Sequence, residues 1–332
     1  MFKQRLAYID FLKGVAILLV ILGHCIQYTD CNFCDNILYQ YIHSFHMPLF
    51  MFLSGYVSYK GILQFSSIKK RAIQLLVPFF VWPSFSQILD MKSVDFSVYR
   101  DIVLHPESGL WFLWSLFFIT VFLFVFDNLS KKIHIRQEYI VCLGVMVLLC
   151  LGFVLKGKIN FGLNITSWYM IFYMQGFYMR KYQCVLIPFF RKYAFVFFVI
   201  FLISAYFMDS LKWGTFLPVR LVYIFSIGYR LFVATMGTFS FYLLGQKFIG
   251  DINHNNLIRM INEIGGRTLG IYCIQFKAIK WSKELFVSSN LFLQILISFI
   301  AATLISIMLE WMFSQNKYTA FLFVGKNRFK MK

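Results

Sequence analysis

Apolar runs of helix length, separated by short polar stretches, dominate the chain from its first dozen residues to about residue 313. A helix that crosses the roughly 30 Å hydrocarbon core of a bilayer needs about 20 mostly apolar residues. Ten such runs are legible, at 12–29, 37–59, 72–89, 110–127, 139–155, 162–179, 194–211, 217–243, 260–285 and 291–313. Two are less apolar than the rest: the eighth contains Arg220 and Arg230, and the ninth Glu263, Arg267 and Lys277. The pattern predicts an all-α polytopic membrane helix bundle of about ten transmembrane helices, organised as a single domain over 1–332. The longest polar stretches, 90–109 and 128–138, are too short to fold alone. No internal repeat or low-complexity segment interrupts the series.

Composition agrees. Of 332 residues, 60% are hydrophobic and 14% charged, against roughly a quarter charged in a soluble domain. The 42 Phe, 19 Tyr and 7 Trp suit packing against lipid and anchoring at its interfaces. Lys and Arg in short loops are retained on the cytoplasmic side. With the N-terminus inside, that side collects Lys3 and Arg5, the Lys69-Lys70-Arg71 cluster, Arg180, Lys181, Arg191, Lys192 and the basic tail. These and the other inside charges outnumber the outside set, which includes Lys92, Arg100, Lys156, Lys158 and Lys212, by more than two to one. Both termini are therefore expected in the cytoplasm. The net charge of +18 does not call for nucleic acid, because anionic lipid headgroups account for basic residues in short loops between apolar helices. The first run lacks a small-x-small cleavage site and is expected to stay as a span. Of seven cysteines only Cys31 and Cys34 lie close in sequence. One such pair, with no second pair or nearby His, is a disulfide or two free thiols rather than a zinc site.

Polar residues within the first run hold the most chemical information. Asp10, Lys13 and His24 interrupt an otherwise apolar helix. At about 100° per residue, Lys13 and His24 fall within about 20° of one another and Asp10 about 40° to the other side, so the three share a face. An ionisable group inside a membrane is costly and faces a bundle interior or an aqueous cavity. Asp10 and Lys13 also fit an interfacial i,i+3 ion pair, and His24 fits a neutral ring bonded to a neighbouring helix. Eleven residues separate Lys13 from His24, about 16 Å along the axis, which is comparable to an extended pantetheine arm. An imidazole there is suited to take a proton from a sugar hydroxyl as it attacks a thioester, or to be acylated itself.

These residues resemble the acyltransferase-3 family of membrane O-acyltransferases. Its first helix has Asp-x-x-(Arg/Lys)-Gly followed by His, and Asp10, Lys13, Gly14 and His24 match in type and spacing. Phe45-His46-Met47-Pro48-Leu49-Phe50 with Leu53-Ser54-Gly55-Tyr56 is similar to the family's second-helix signature. Further matches are Lys69-Lys70-Arg71 ahead of Pro78, Leu110-Trp111-Phe112-Leu113, Gln175-Gly176-Phe177 and Thr268-Leu269-Gly270-Ile271-Tyr272. The resemblance implies an acyl-CoA donor, acetyl-CoA above all, bound from the cytoplasm, and a glycan or lipid-linked sugar as acceptor. It makes His24 the general base, with Asp10 and Lys13 organising the cytoplasmic part of the site. Lys69, Lys70 and Arg71 are expected to meet the nucleotide of CoA, Arg71 first because a guanidinium forks onto phosphate. The chain departs from the family at Lys13, where Arg is common, at Gln74, where a second Arg is common, and at Gln275, where the ninth-helix signature often ends in His.

His43 and His46, spaced i,i+3, could join His24 around a metal, but no carboxylate or thiol completes the set and no metal is expected. His46 is instead expected to line the cavity or to bond a backbone carbonyl freed by Pro48. Trp111 is expected at the site entrance, and Arg220 and Arg230 are buried-charge candidates for the acceptor or the CoA phosphates. The predicted location is the inner (plasma) membrane, among its lipids. The rival reading is a carrier or flippase for a glycan with no acyl chemistry. The inverted repeats and paired broken helices common in carriers are not legible in the sequence.

Overall fold

A computed structural model describes residues 7–59, 65–155, 161–208, 218–249, 256–285 and 287–327, apart from the side chains of Phe153, Val219, Arg220 and Ile249. All regular structure there is helical. In chain order the α-helices are α1 (Ala7–Thr29), α2 (Ile37–Ser58), α3 (Phe65–Leu89), α4 (Ser97–Leu104), α5 (Trp111–Lys132), α6 (Gln137–Val154) and α7 (Leu163–Lys181). They continue as α8 (Gln183–Arg191), α9 (Ala194–Tyr206), α10 (Val219–Ile249), α11 (Asn256–Gly266), α12 (Thr268–Leu285), α13 (Leu291–Gln315) and α14 (Lys317–Val324).

Within the described residues each predicted apolar run is largely helical, and the all-α architecture stands. The count of ten crossings is not confirmed. Five helices, α1, α3, α5, α10 and α13, are long and apolar enough to cross a membrane, and α8 with α9, bent by 70°, would make up to six. Of the other predicted spans, α2 contains His43, Ser44 and His46, α7 contains Asn164, Gln175, Arg180 and Lys181, α12 contains Lys277, Lys280, Lys283 and Glu284, and α6 is 18 residues long. The predicted ninth span is two helices, broken at Arg267. Many large apolar side chains face outward, among them Leu143, Met146, Phe195, Ile224, Phe292, Leu304 and Trp311. In water such patches would drive association; in lipid they are the expected outer surface. The chain is an integral membrane protein.

Two compact units are present. The first comprises residues 1–58 and 175–307, the second 59–174 and 308–332. In the first, α1 is central and packs on α2, α10, α11 and α12. Its buried positions, Ile9, Leu12, Ala16, Ile17, Val20, Ile21 and Cys25, run round most of the helix. Lipid is as apolar as Leu, so close packing rather than burial from water holds such helices together. Small residues make that packing possible. A Cβ added to Gly14 would fall on the Ile261 carbonyl oxygen of α11, and one added to Gly265 on the backbone of Asp10. The glycine of the first-helix motif thus serves the crossing of α1 and α11.

In the second unit, α5 packs on α3 and α6, and α14 lies against α3. Asn316 caps α14 by accepting from the Tyr318 N–H at 2.8 Å, and Gly325 ends it in the left-handed region at φ 68°. The Trp82 indole N–H donates to the Phe323 carbonyl at 3.0 Å. Beyond the cap, the Lys326 ammonium donates to Glu310 Oε1 and, at 2.9 Å, to Ser314 Oγ. The Glu310 side chain is 1% exposed, so this pair fixes the chain after α14 to α13. In the loop before α4, Asp95 accepts from the Ser97 hydroxyl and backbone N–H at 2.6 and 2.8 Å, which holds its carboxyl below the usual range.

Candidate active site

His24 lies about three-quarters of the way along α1, half-buried. Its ring is tilted against Phe276 of α12, with centroids 4.7 Å apart at 52°. Its Nδ1 is 3.0 Å from Gln27 Oε1, one turn further along the same helix. An amide oxygen only accepts, so Nδ1 donates in this contact. In the neutral ring that tautomer leaves the lone pair on Nε2: one nitrogen is anchored and the other can accept a proton.

Two more imidazoles share this end of the α1–α2 hairpin. His43 is exposed, stacks on Tyr39 at 5.3 Å and lies 5.9 Å from the His46 ring. His46 is buried and donates from Nδ1 to the Ile42 carbonyl at 2.7 Å. A backbone carbonyl was the expected partner, but Pro48 strips the donor from Ser44, four residues before it, and the bond goes to Ile42 instead. The hydrogen bond still turns His46 away from any reacting group through Nδ1. Among the described residues no group of three or more His, Cys, Asp or Glu is placed to hold a metal. Cys31 and Cys34 are both free thiols and exposed.

Asp10 and Lys13 sit half-buried in the first turns of α1, each engaged by neighbours. The helix is continuous from them to His24, so the separation of about 16 Å along the axis is retained. The first-helix candidates thus share one rigid element, and His46 lies on α2, which packs against it. Arg230, read as a buried charge, is exposed on α10, and the Arg220 side chain lies outside the described residues. Gln275, beside Phe276, is fully buried, and neither of its side-chain polar atoms has a partner among the described residues.

Lys69, Lys70, Arg71 and Trp111 belong to the second unit. The three cations fall in the first two turns of α3, with Lys69 and Lys70 exposed and Arg71 half-buried. Trp111 opens α5 and stacks on Tyr169 of α7 at 4.7 Å and 28°. Local spacing also left two contacts of His24 unread. Gln27 stands at i+3, where a helix makes side chains neighbours, so that contact had a signal. Phe276 lies far along the chain and had none.

Comparison with known proteins follows from the sequence of the whole chain. A family model described as an acyltransferase domain matches residues 6–311. The chain is 32% identical over 184 residues to nodulation protein NolL of Sinorhizobium fredii (strain NBRC 101917 / NGR234), covering 46% of this chain and 49% of that protein. It is 35% identical over 136 residues to nodulation protein NolL of Mesorhizobium japonicum (strain LMG 29417 / CECT 9101 / MAFF 303099), covering 37% of this chain and 36% of that protein. The matches thus span about half the length of these relatives or less. No solved structure matches the chain.

Proposed function

The chain belongs to this acyltransferase family, matched over nearly its whole length, and from that premise we propose that it transfers an acyl group from cytoplasmic acyl-CoA to a hydroxyl of a glycan or lipid-linked sugar. Acetyl-CoA is the proposed donor and the inner (plasma) membrane the proposed site of action. One observation carries the reading: an imidazole on the central membrane helix, tied through Nδ1 to Gln27 and lined by Phe276, with a continuous helix joining it to Asp10 and Lys13.

In the proposed step, His24 Nε2 accepts the proton of the acceptor hydroxyl as that oxygen bonds to the thioester carbonyl carbon. The carbon–sulfur bond then breaks, and the proton passes from His24 to the leaving thiolate. Gln27 holds the imidazole in the tautomer this needs. Formation of an acyl-His24 intermediate, with the acceptor attacking second, uses the same lone pair. Lys13 and the Lys69-Lys70-Arg71 cluster are proposed as contacts for the donor's phosphates, Asp10 as the partner that organises them, and His46 and Trp111 as contacts of the acceptor. Arg220 and Arg230 remain proposals of the same kind.

A carrier without chemistry is the second reading, and the 70° bend between α8 and α9 favours it, since carriers use broken helices. Among the described residues no second bent pair accompanies it. Mass spectrometry of surface and lipid-linked glycans from cells with and without the protein separates the two. The enzyme reading expects an acyl mass increment that disappears with the protein; unaltered acylation together with displaced, unmodified glycan would overturn it in favour of the carrier.

A further inference from the structure

At the opposite end of α1 from His24, a guanidinium is held among phenols with no carboxylate paired to it among the described residues. Gly176 of α7 lies directly on the Phe52 carbonyl of α2, where any Cβ would collide. One helical turn further along both helices, this close approach sets Arg180 over Tyr56, with the guanidinium carbon 5.1 Å from the ring centroid. Arg180 Nη1 donates to the Tyr56 hydroxyl at 3.1 Å and to Gln183 Oε1 at 2.7 Å. Tyr56 donates to Gln183 Oε1 at 3.2 Å, and the Tyr8 hydroxyl is 2.8 Å from that of Tyr56. A third phenol, Tyr242 of α10, is fully buried, with ring centroids 5.3 Å from Tyr56 and 6.2 Å from Tyr8. Its hydroxyl reaches no partner in hydrogen-bonding geometry among the described residues, nor does the buried side-chain oxygen of Gln246, one turn on along α10.

A structural clamp between α2 and α7 needs a cation no more than a neutral donor, and a half-buried positive charge is costly unless an anion balances it. Among the described residues Arg180 makes no ion pair, and its hydrogen bonds use one of its three nitrogens. The ring of Tyr56 and the Gln183 oxygen fix the plane of the fork, so the remaining donors are oriented in advance. Fixed guanidinium donors with phenol hydroxyls alongside match the oxygens of a phosphate ester.

We propose that Arg180, Tyr8, Tyr56, Gln183 and Tyr242 form an anion site that takes a phosphate ester on the side of the membrane where α1 begins. Tyr8 precedes His24 by 16 residues, about 24 Å along the axis and about 160° round it. The site is therefore distinct from the His24 face. Two sources offer this chemistry, the headgroup of an anionic phospholipid and the nucleotide phosphates of an acyl-CoA.

The test reads binding, so it is decided whether or not acyl transfer is detected. The full chain is placed in nanodiscs of phosphatidylcholine, or of phosphatidylcholine with an equal amount of phosphatidylglycerol. Titration with adenosine 3′,5′-bisphosphate is followed by calorimetry, and the lipid effect by thermal unfolding. Arg180→Gln is expected to weaken nucleotide binding by roughly 10–100-fold, which assigns the donor's phosphates, or to abolish the stabilisation by phosphatidylglycerol, which assigns the lipid. Arg180→Lys, which keeps the charge and loses the fork, should fall between. Should Arg180→Gln fail to fold, Tyr242→Phe serves: it removes a hydroxyl with no partner among the described residues and should lower the same affinity about fivefold while leaving the unliganded protein as stable as before. Variants that match the wild type against both probes overturn the proposal.

Discussion

Gly265→Ala and Gly228→Ala add the same methyl group and are expected to move stability in opposite directions. Gly265 is buried near the end of α11, and a Cβ there would meet the carbonyl oxygen, carbonyl carbon and Cα of Asp10. Backbone atoms cannot rotate aside as a side chain can, so α1 and α11 must separate or shear by about 1 Å, losing dispersion contacts along the crossing. Overpacking of this kind costs about 1–3 kcal/mol. A Cβ at Gly228, within α10, would find nothing within 4 Å, which leaves only the helix-propensity gain of about 0.5–1 kcal/mol. The two variants should differ by about 1.5–4 kcal/mol, which for a chain of this size corresponds to roughly 2–6 °C in melting temperature. Intrinsic fluorescence from the 7 Trp, followed through thermal unfolding in one detergent, reads the difference. Asp10 and Lys13 ride on the displaced turn, so Gly265→Ala should also depress transfer. Equal melting temperatures, or a more stable Gly265→Ala, would refute the direct contact of α11 with the motif-bearing turn of α1.

Other consequences can be measured separately. Gln27→Leu removes the acceptor for His24 Nδ1 and is expected to lower transfer roughly 10–100-fold at unchanged stability; full activity in this variant contradicts the orienting role. Lys326→Met strips the cation from Glu310, whose side chain is 1% exposed, and should cost about 3 kcal/mol, seen as a lower melting temperature. Double replacement by Glu310→Met and Lys326→Met should recover much of that loss, and no recovery argues against an ion pair between them. Single-cysteine proteins keeping Cys31 or Cys34, both exposed, should react with a membrane-impermeant maleimide in intact cells, whereas buried Cys25 and Cys273 should not. Protection of Cys31 and Cys34 until lysis would invert the orientation read from the basic loops.

Apolar runs made the membrane helices legible because a bilayer allows few alternatives to a helix in which every backbone group is paired. Helix breaks were harder to see. The run 260–285 reads as one weakly apolar span, yet Gly265, Gly266 and Arg267 divide it, with the Thr268 hydroxyl donating back to the Gly265 carbonyl at 3.4 Å. Two successive glycines followed by Arg267 and Thr268 are an end-and-restart signal, masked by the apolar residues on either side. The short helices α4, α8 and α14 lacked the length that the pattern rewards, although Asn316 and Gly325 mark both ends of α14. In the site, the spacing of Asp10, Lys13 and His24 was readable because a helix fixes it. The crossing that requires Gly14, the ring of Phe276 and the seat of Arg180 on Tyr56 all depend on partners distant in sequence. Arg180 read as an ordinary inside charge; only tertiary packing surrounds it with phenols.

The central claim concerns the imidazole of His24. Purified protein reconstituted in vesicles, given acetyl-CoA labelled in the acetyl group and a membrane glycan fraction as acceptor, should move label into the glycan. His24→Ala, inserted and folded as judged by its melting temperature, should lose at least about 100-fold of that transfer. Label moving at the wild-type rate in the variant would contradict the account.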